Sequence, residues 1–152
     1  MQEIAPGLWH WTARHERIHT DGCATPSAVR LHCVRSGLHE LDGRGPVKVF
    51  DFGDELPGGV IAYEVDAICP DETALYIPAH RALACADGVV RWPGRDGLSF
   101  VPDEYMDDPE ETKAALRDAY RSLLGLDFDL LLLAHGDPVV TSGKEALRTF
   151  AG

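Results

Sequence analysis

The sequence predicts an α/β (α+β) domain, a mixed sheet packed by helices, and three observations carry that prediction. Short strand-like runs alternate with turn dipeptides from Val47 to Val90. An amphipathic helix with a full set of start signals follows at Asp108. Beyond it, Leu130 to Ala134 is apolar at every position between Asp129 and His135, too short for a capped helix and suited to a strand covered on both faces.

The elements follow in order. Ile4 to Thr12 opens on a Pro-Gly turn and continues as a short aromatic strand, where Leu8, Trp9 and Trp11 suit a sheet surface. Arg14 to Ser27 has no clean period and reads as loop, Ala28 to Cys33 reads as a short strand, and Ser36 to Leu41 is ambiguous. Asp42 to Gly45 is a turn, Val47 to Phe52 alternates as a strand, Glu55 to Gly59 is a second turn, and Val60 to Val65 is a strand. After Cys69-Pro70-Asp71-Glu72, Thr73 to Ile77 forms a strand that Pro78 ends, and Arg81 to Ala86 leads into Asp87-Gly88. Arg91 to Asp108 is the longest irregular segment, either a surface excursion or a loop over a pocket.

The helices come late. Asp108 can accept from free backbone N–H groups, Pro109 fits the first helical position, and Glu111 stands where a capping box wants a carboxylate. Leu116, Ala119, Tyr120, Leu123 and Leu124 recur at helical spacing as one buried stripe, and Gly125 is the expected stop. A final helix is expected from a Ser142 cap, with Glu145 as its partner, to Phe150.

A chain of 152 residues that is 45% hydrophobic and 26% charged has the size and composition of one globular domain, residues 1–152. Its formal charge of -11, from 25 acidic and 14 basic residues, argues against a nucleic-acid partner, because the average surface repels phosphate. No run approaches the roughly 18 apolar residues of a membrane span. The N-terminus lacks the basic start and apolar stretch of a signal peptide, so a reducing cytoplasmic location is expected, with the four cysteines as thiols. The chain contains no dinucleotide-binding, phosphate-loop or nucleophile-elbow motif.

Polar residues at strand ends are natural ligand positions, because rigid backbone holds them where the chain leaves the sheet. Asp87 follows RALACA, and His135 follows the all-apolar strand. A carboxylate and an imidazole meeting at one edge can bind zinc, iron or manganese; they equally suit a structural hydrogen bond. A second zinc possibility is H-x3-H-x3-C at His15, His19 and Cys23, although Thr20-Asp21-Gly22 interrupts the helix it needs. His10 is expected to face solvent from its strand, and His32, His39 and His80 have no evident partner.

AHRALACADGVV and LLLLAHGDPVV resemble the later motifs of the metallo-β-lactamase fold family, in order and spacing, and the resemblance covers Val47 to Phe150. It implies an aspartate bridging two metals at Asp87 and a metal-ligating histidine at His135. The family's further histidine falls at Cys69, and PDET stands where its members usually have a Gly-containing loop. The HxHxDH motif, which supplies most ligands of the first metal, is absent. The stretch before Val47 is too short for the family's usual strands and helices. The resemblance therefore implies a shortened or degenerate member, without full dinuclear hydrolase activity. Two other readings stay open: an active metal-dependent hydrolase of a small ester, thioester, lactam or phosphoester, or a non-catalytic interaction domain. In an active member, metal would lower the pKa of bound water and polarise the substrate. Shortening would also uncover an apolar face, so a homodimer is expected.

Overall fold

Pro6-Gly7 reverses the chain, and Gly7 takes a left-handed φ of 79° that glycine adopts without a Cβ penalty. On either side, β1 (Gln2–Ala5) and β2 (Leu8–His10) pair as an antiparallel hairpin. The expected aromatic strand is thus the second arm, and the first arm precedes the turn. The computed structural model describes residues 2–10, 31–41 and 47–152. The expected loop at Arg14–Ser27, the His15/His19/Cys23 spacing and the turn at Asp42–Gly45 lie outside the described residues. The side chain of His10 also lies outside them.

β3 (Leu31–Val34) and β4 (Val47–Phe50) pair in parallel, from Leu31↔Val47 to Val34↔Phe50. The ambiguous stretch after β3 is a 3-10 turn, Arg35–Leu41. β4 stops at Phe50, short of the expected Phe52, because the next backbone groups bond elsewhere. Asp51 N–H donates to Asp54 Oδ2 at 2.9 Å, and Gly53 N–H to the Ala62 carbonyl at 2.8 Å.

The main sheet has five strands in sequence order: β5 (Glu55–Leu56), β6 (Val60–Glu64), β7 (Thr73–Ile77), β8 (Ala82–Cys85) and β9 (Leu130–Leu133). Glu55-Leu56, expected as part of a turn, is a short strand paired with Val60 and Ile61. The turn contracts to Pro57–Gly59, where Gly58 and Gly59 take φ of 86° and 74°. Pairing is antiparallel up to β8, and β8–β9 is parallel. A parallel pair needs a crossover, and this one contains α1 (Pro109–Leu123).

Strand alternation divides the core in two. Ala62, Leu75, Ala84 and Leu132 are cross-strand neighbours on one face, and Ala62 and Leu75 pack with Val34 and Phe50 of the β3–β4 pair. On the other face Ala74, Leu83, Cys85, Leu131 and Leu133 pack with Leu116, Tyr120 and Leu123 of α1. Leu147 and Ala151 of α2 (Gly143–Ala151) complete that cluster. β9 is fully buried only on the helix side: Leu131 and Leu133 are buried, Leu130 and Leu132 are half-buried, and Ala134 lies exposed beyond the strand.

α1 starts as its sequence requires, with Asp108 Oδ1 accepting from Glu111 N–H at 3.1 Å and Pro109 opening the first turn. Its stop differs from expectation. Leu124 is a right-handed C-cap bonded to the Arg121 carbonyl, so no left-handed Gly125 is used. α2 also begins where expected, but not through a Ser142 hydroxyl. Asp129 seats its start: Ser142 N–H donates to Asp129 Oδ1 at 2.8 Å, and Gly143 N–H to the Asp129 carbonyl at 2.7 Å. Glu145 instead pairs with Arg148.

A Cβ on Gly143 would come within 2.6 Å of the Asp129 carbonyl oxygen and 2.7 Å of Leu131 N, backbone atoms that cannot swing aside. Gly143→Ala is therefore expected to cost about 1–3 kcal/mol by overpacking. Urea unfolding checks this, and unchanged stability would mean that α2 does not start against β9.

Candidate functional site

Because β8 and β9 run the same way, both leave the sheet at one edge. Cys85 and Leu133 are the last paired residues, and Ala134 N–H still reaches the Cys85 carbonyl at 3.2 Å. The next residues on each strand deliver Asp87 and His135 together: His135 Nε2 lies 3.2 Å from Asp87 Oδ1. The His135 and Asp87 side chains are 54% and 61% exposed, so water screens the contact.

Each turn is braced from beneath. Gly88 N–H donates to Glu72 Oε1 at 2.9 Å, and Ile68 N–H to Glu72 Oε2 at 3.1 Å. Glu72 is only 4% exposed and is the buried charged residue among the described residues. Burial raises its carboxyl above the usual range; the backbone donors at Ile68, Gly88 and Ala67 oppose this, and the Asp87 charge adds to it. Gly88 has no room for a side chain: a Cβ would land against Glu72 Oε1, Leu116 Cδ2 and Tyr120 Oη. Tyr120 Oη is itself buried without a hydrogen-bond partner. On the other strand, Arg91 N–H donates to the His135 carbonyl at 3.0 Å. Gly136, at φ 101°, lies so close to the Arg91 carbonyl that a Cβ would collide with it.

Sequence reasoning found Asp87 and His135 but missed Glu72. The one signal for Glu72 was a carboxylate at the foot of an apolar strand; its partners, Ile68 N–H and Gly88 N–H, are backbone groups that no motif records.

Cys69 is exposed in the turn before β7. Desolvation, then the hydrogen bond and charge of Asp71, push its thiol up to about 11. Without a metal the thiol is therefore protonated at neutral pH, and a metal that bound it would displace that proton. Among the described residues no group of three or more His, Cys, Asp and Glu side chains is placed to hold a metal ion. Donors about 2.0–2.2 Å from a tetrahedral zinc stand roughly 3.4 Å apart. The 3.2 Å separation of Asp87 and His135 thus suits two ligands of one ion. The described residues do not fit a dinuclear centre.

His80 lies in the 3-10 turn before β8, at the opposite end of that strand from Asp87. His32 has a buried Nδ1 without a hydrogen-bond partner and borders a small cavity with Lys48 and Asp54. The irregular segment after β8 does line a pocket. Arg91, Trp92 and Arg95 wall a cavity of about 390 Å³ whose other side is His135, Gly136 and Asp137. No described helix is long and apolar enough to cross a membrane.

No family model and no curated protein sequence matches the chain. Solved structures do. The chemotaxis sensor ODP in a peroxy diiron species superposes with a TM-score of 0.56 at 14% identity, over 81% of this chain and 60% of that one. The DIM-1 metallo-β-lactamase gives 0.53 at 14% identity, over 79% and 58%. The rubredoxin oxygen:oxidoreductase of the anaerobe Desulfovibrio gigas gives 0.53 at 15% identity, over 80% and 36%. The chain thus spans between 36% and 60% of these structures' lengths. At such identities the likeness shows the fold, and the fold is that of the metallo-β-lactamases, a mixed sheet packed by helices.

Glu72→Ala removes the acceptor of a buried N–H at Gly88 and a part-buried one at Ile68, and is expected to cost about 3 kcal/mol in urea unfolding. Glu72→Gln tests the titration. A carboxyl whose folded pKa is raised above its ordinary 4.5 contributes most stability below that value and loses it as pH rises through the raised pKa. The stability of the wild type relative to Glu72→Gln should therefore fall as pH rises across that window; parallel profiles would mean that the carboxyl is not desolvated.

Proposed function

We propose that this chain is a degenerate relative of the metallo-β-lactamase-fold hydrolases, without full dinuclear activity, and that Asp87 and His135 are what remains of a metal-ligating set. The observation that supports this is the contact between the two side chains at 3.2 Å, with no third donor beside them among the described residues. One zinc ion, or iron or manganese in its place, is the most that this pair accommodates. Two exposed ligands with water in the other positions hold a cation weakly, because supporting groups do not replace missing donors. With formal charge -11 and no spanning helix among the described residues, the proposed setting is the cytoplasm, without nucleic acid or membrane as a partner.

A second reading is an active hydrolase of a small ester, thioester, lactam or phosphoester. The cavity beside His135, with Arg91 and Arg95 in its wall, favours it, because cations there could hold a substrate's anionic group. We also propose that two copies associate through the sheet face bearing the half-buried Leu130 and Leu132.

Metal analysis after purification in zinc-, iron- or manganese-replete medium tests the reading. The expected result is at most one equivalent, removable by mild chelation and abolished by Asp87→Ala or His135→Ala. Two tightly held equivalents, with turnover of an ester or lactam that tracks metal content, would overturn it in favour of the active hydrolase. For association, light scattering at micromolar concentration should give twice the 16.6 kDa chain mass, and a monomer mass would contradict the dimer.

A further inference from the structure

The segment between β8 and α1 borders a second, open cleft of about 610 Å³. We propose that this cleft binds a small aromatic carboxylate, its ring against Trp92 and its anionic group on Arg95.

The walls are preformed. Val90 and Ser99 exchange backbone hydrogen bonds, each of 2.9 Å, and so clamp the ends of the loop. Inside that clamp, Trp92-Pro93-Gly94-Arg95 is a tight turn closed by Arg95 N–H on the Trp92 carbonyl at 3.1 Å. Proline followed by a glycine at φ 76° is the sequence and geometry of a type II turn. It presents Trp92 and Arg95 to the cleft from one rigid unit. The opposite wall, Phe100, is fixed by the Phe150 ring at 4.5 Å and the Arg117 guanidinium 4.9 Å from its centroid. A flat ligand therefore meets surfaces that need little ordering to receive it.

Charge selects the ligand's sign. Lys113 and Asp103 also line the cleft, but Lys113 Nζ lies 2.8 Å from Asp103 Oδ1 and 4.0 Å from Glu110 Oε1, so its charge is already matched by carboxylates. Arg95 is the remaining charge, and among the described residues its guanidinium has no ion-pair partner. In a chain of formal charge -11 the general field repels anions, so an uncompensated arginine beside an aromatic wall is a local reversal. A planar guanidinium matches a carboxylate with paired hydrogen bonds. Trp92, Pro93 and Arg95 also wall the cavity beside His135, but neither Asp87 nor His135 lines this cleft, so the proposal does not rest on the metal reading.

The test is titration of the isotopically labelled full chain with 2-naphthoate, 2-naphthamide and acetate, followed by amide NMR. Naphthoate should bind saturably and shift the amides of residues 92–103 and Lys113. Naphthamide, lacking the charge, should bind about tenfold more weakly, and acetate, lacking the ring, should not saturate. Arg95→Gln should weaken naphthoate about tenfold while amides in the main sheet stay in place. Arg35→Gln, the same change of charge elsewhere, should leave its affinity unaltered. Equal affinity for naphthamide, shifts centred on His135 and Asp137 instead of Phe100 and Lys113, or no saturable naphthoate binding would each overturn the proposal.

Discussion

The parallel pairing of β8 with β9 is the constraint on which the rest depends. Four residues of each strand are in register, Ala82↔Leu130 through Cys85↔Leu133. Sheet side chains alternate, so a slip of one residue would turn Leu131 and Leu133 out of the helix-side core and carry Leu130 and Leu132 into it. The packing of α1 and α2 on that face therefore enforces the register. The register in turn sets where the two strands end, and hence that Asp87 and His135 meet. The candidate site is a by-product of core packing, not of any attraction between its two exposed groups.

Beneath the site, the structure spends stability on rigidity. Burying the Glu72 carboxylate is unfavourable, and only the backbone donors at Ile68 and Gly88 make it tolerable. What this achieves is a tie between the turn before β7 and the turn after β8, which antiparallel pairing of the two strands brings to the same end of the sheet. Gly88 and Gly136 contribute in the same sense, since each lets a neighbouring element approach where a Cβ would block it. The edge is thus well supported even though the described residues that could act there are few. Core packing and metal ligation are separate constraints, so the scaffold at this edge does not depend on how many donors stand on it.

What the sequence disclosed follows from range. The start of α1 was legible because Asp108, Pro109 and Glu111 are neighbours whose roles are local, and the structure uses Asp108 as expected. β7 was legible as a short strand-like run that Pro78 ends. Asp87 and His135 were legible as polar residues closing apolar strands. Apart from the Gly125 stop, the failures are non-local. Glu55-Leu56 becomes a strand only because β6 lies beside it. Ser142 resembles a cap, but Asp129, held against β9, takes the helix start instead. Leu130 to Ala134 seemed uniformly buried because five apolar residues carry no alternation to divide one face from the other. Glu72 was invisible because its worth lies in two N–H groups brought to it by folding.

The most direct test of the central claim is backbone NOE spectroscopy of the labelled chain across β8 and β9, together with contacts between the His135 ring and the Asp87 Hβ protons. The expected result is a ladder of parallel contacts joining Ala82–Cys85 to Leu130–Leu133 in register, and a ring contact at the shared edge. A ladder shifted by one residue, or an intact ladder with the imidazole remote from Asp87, would contradict it.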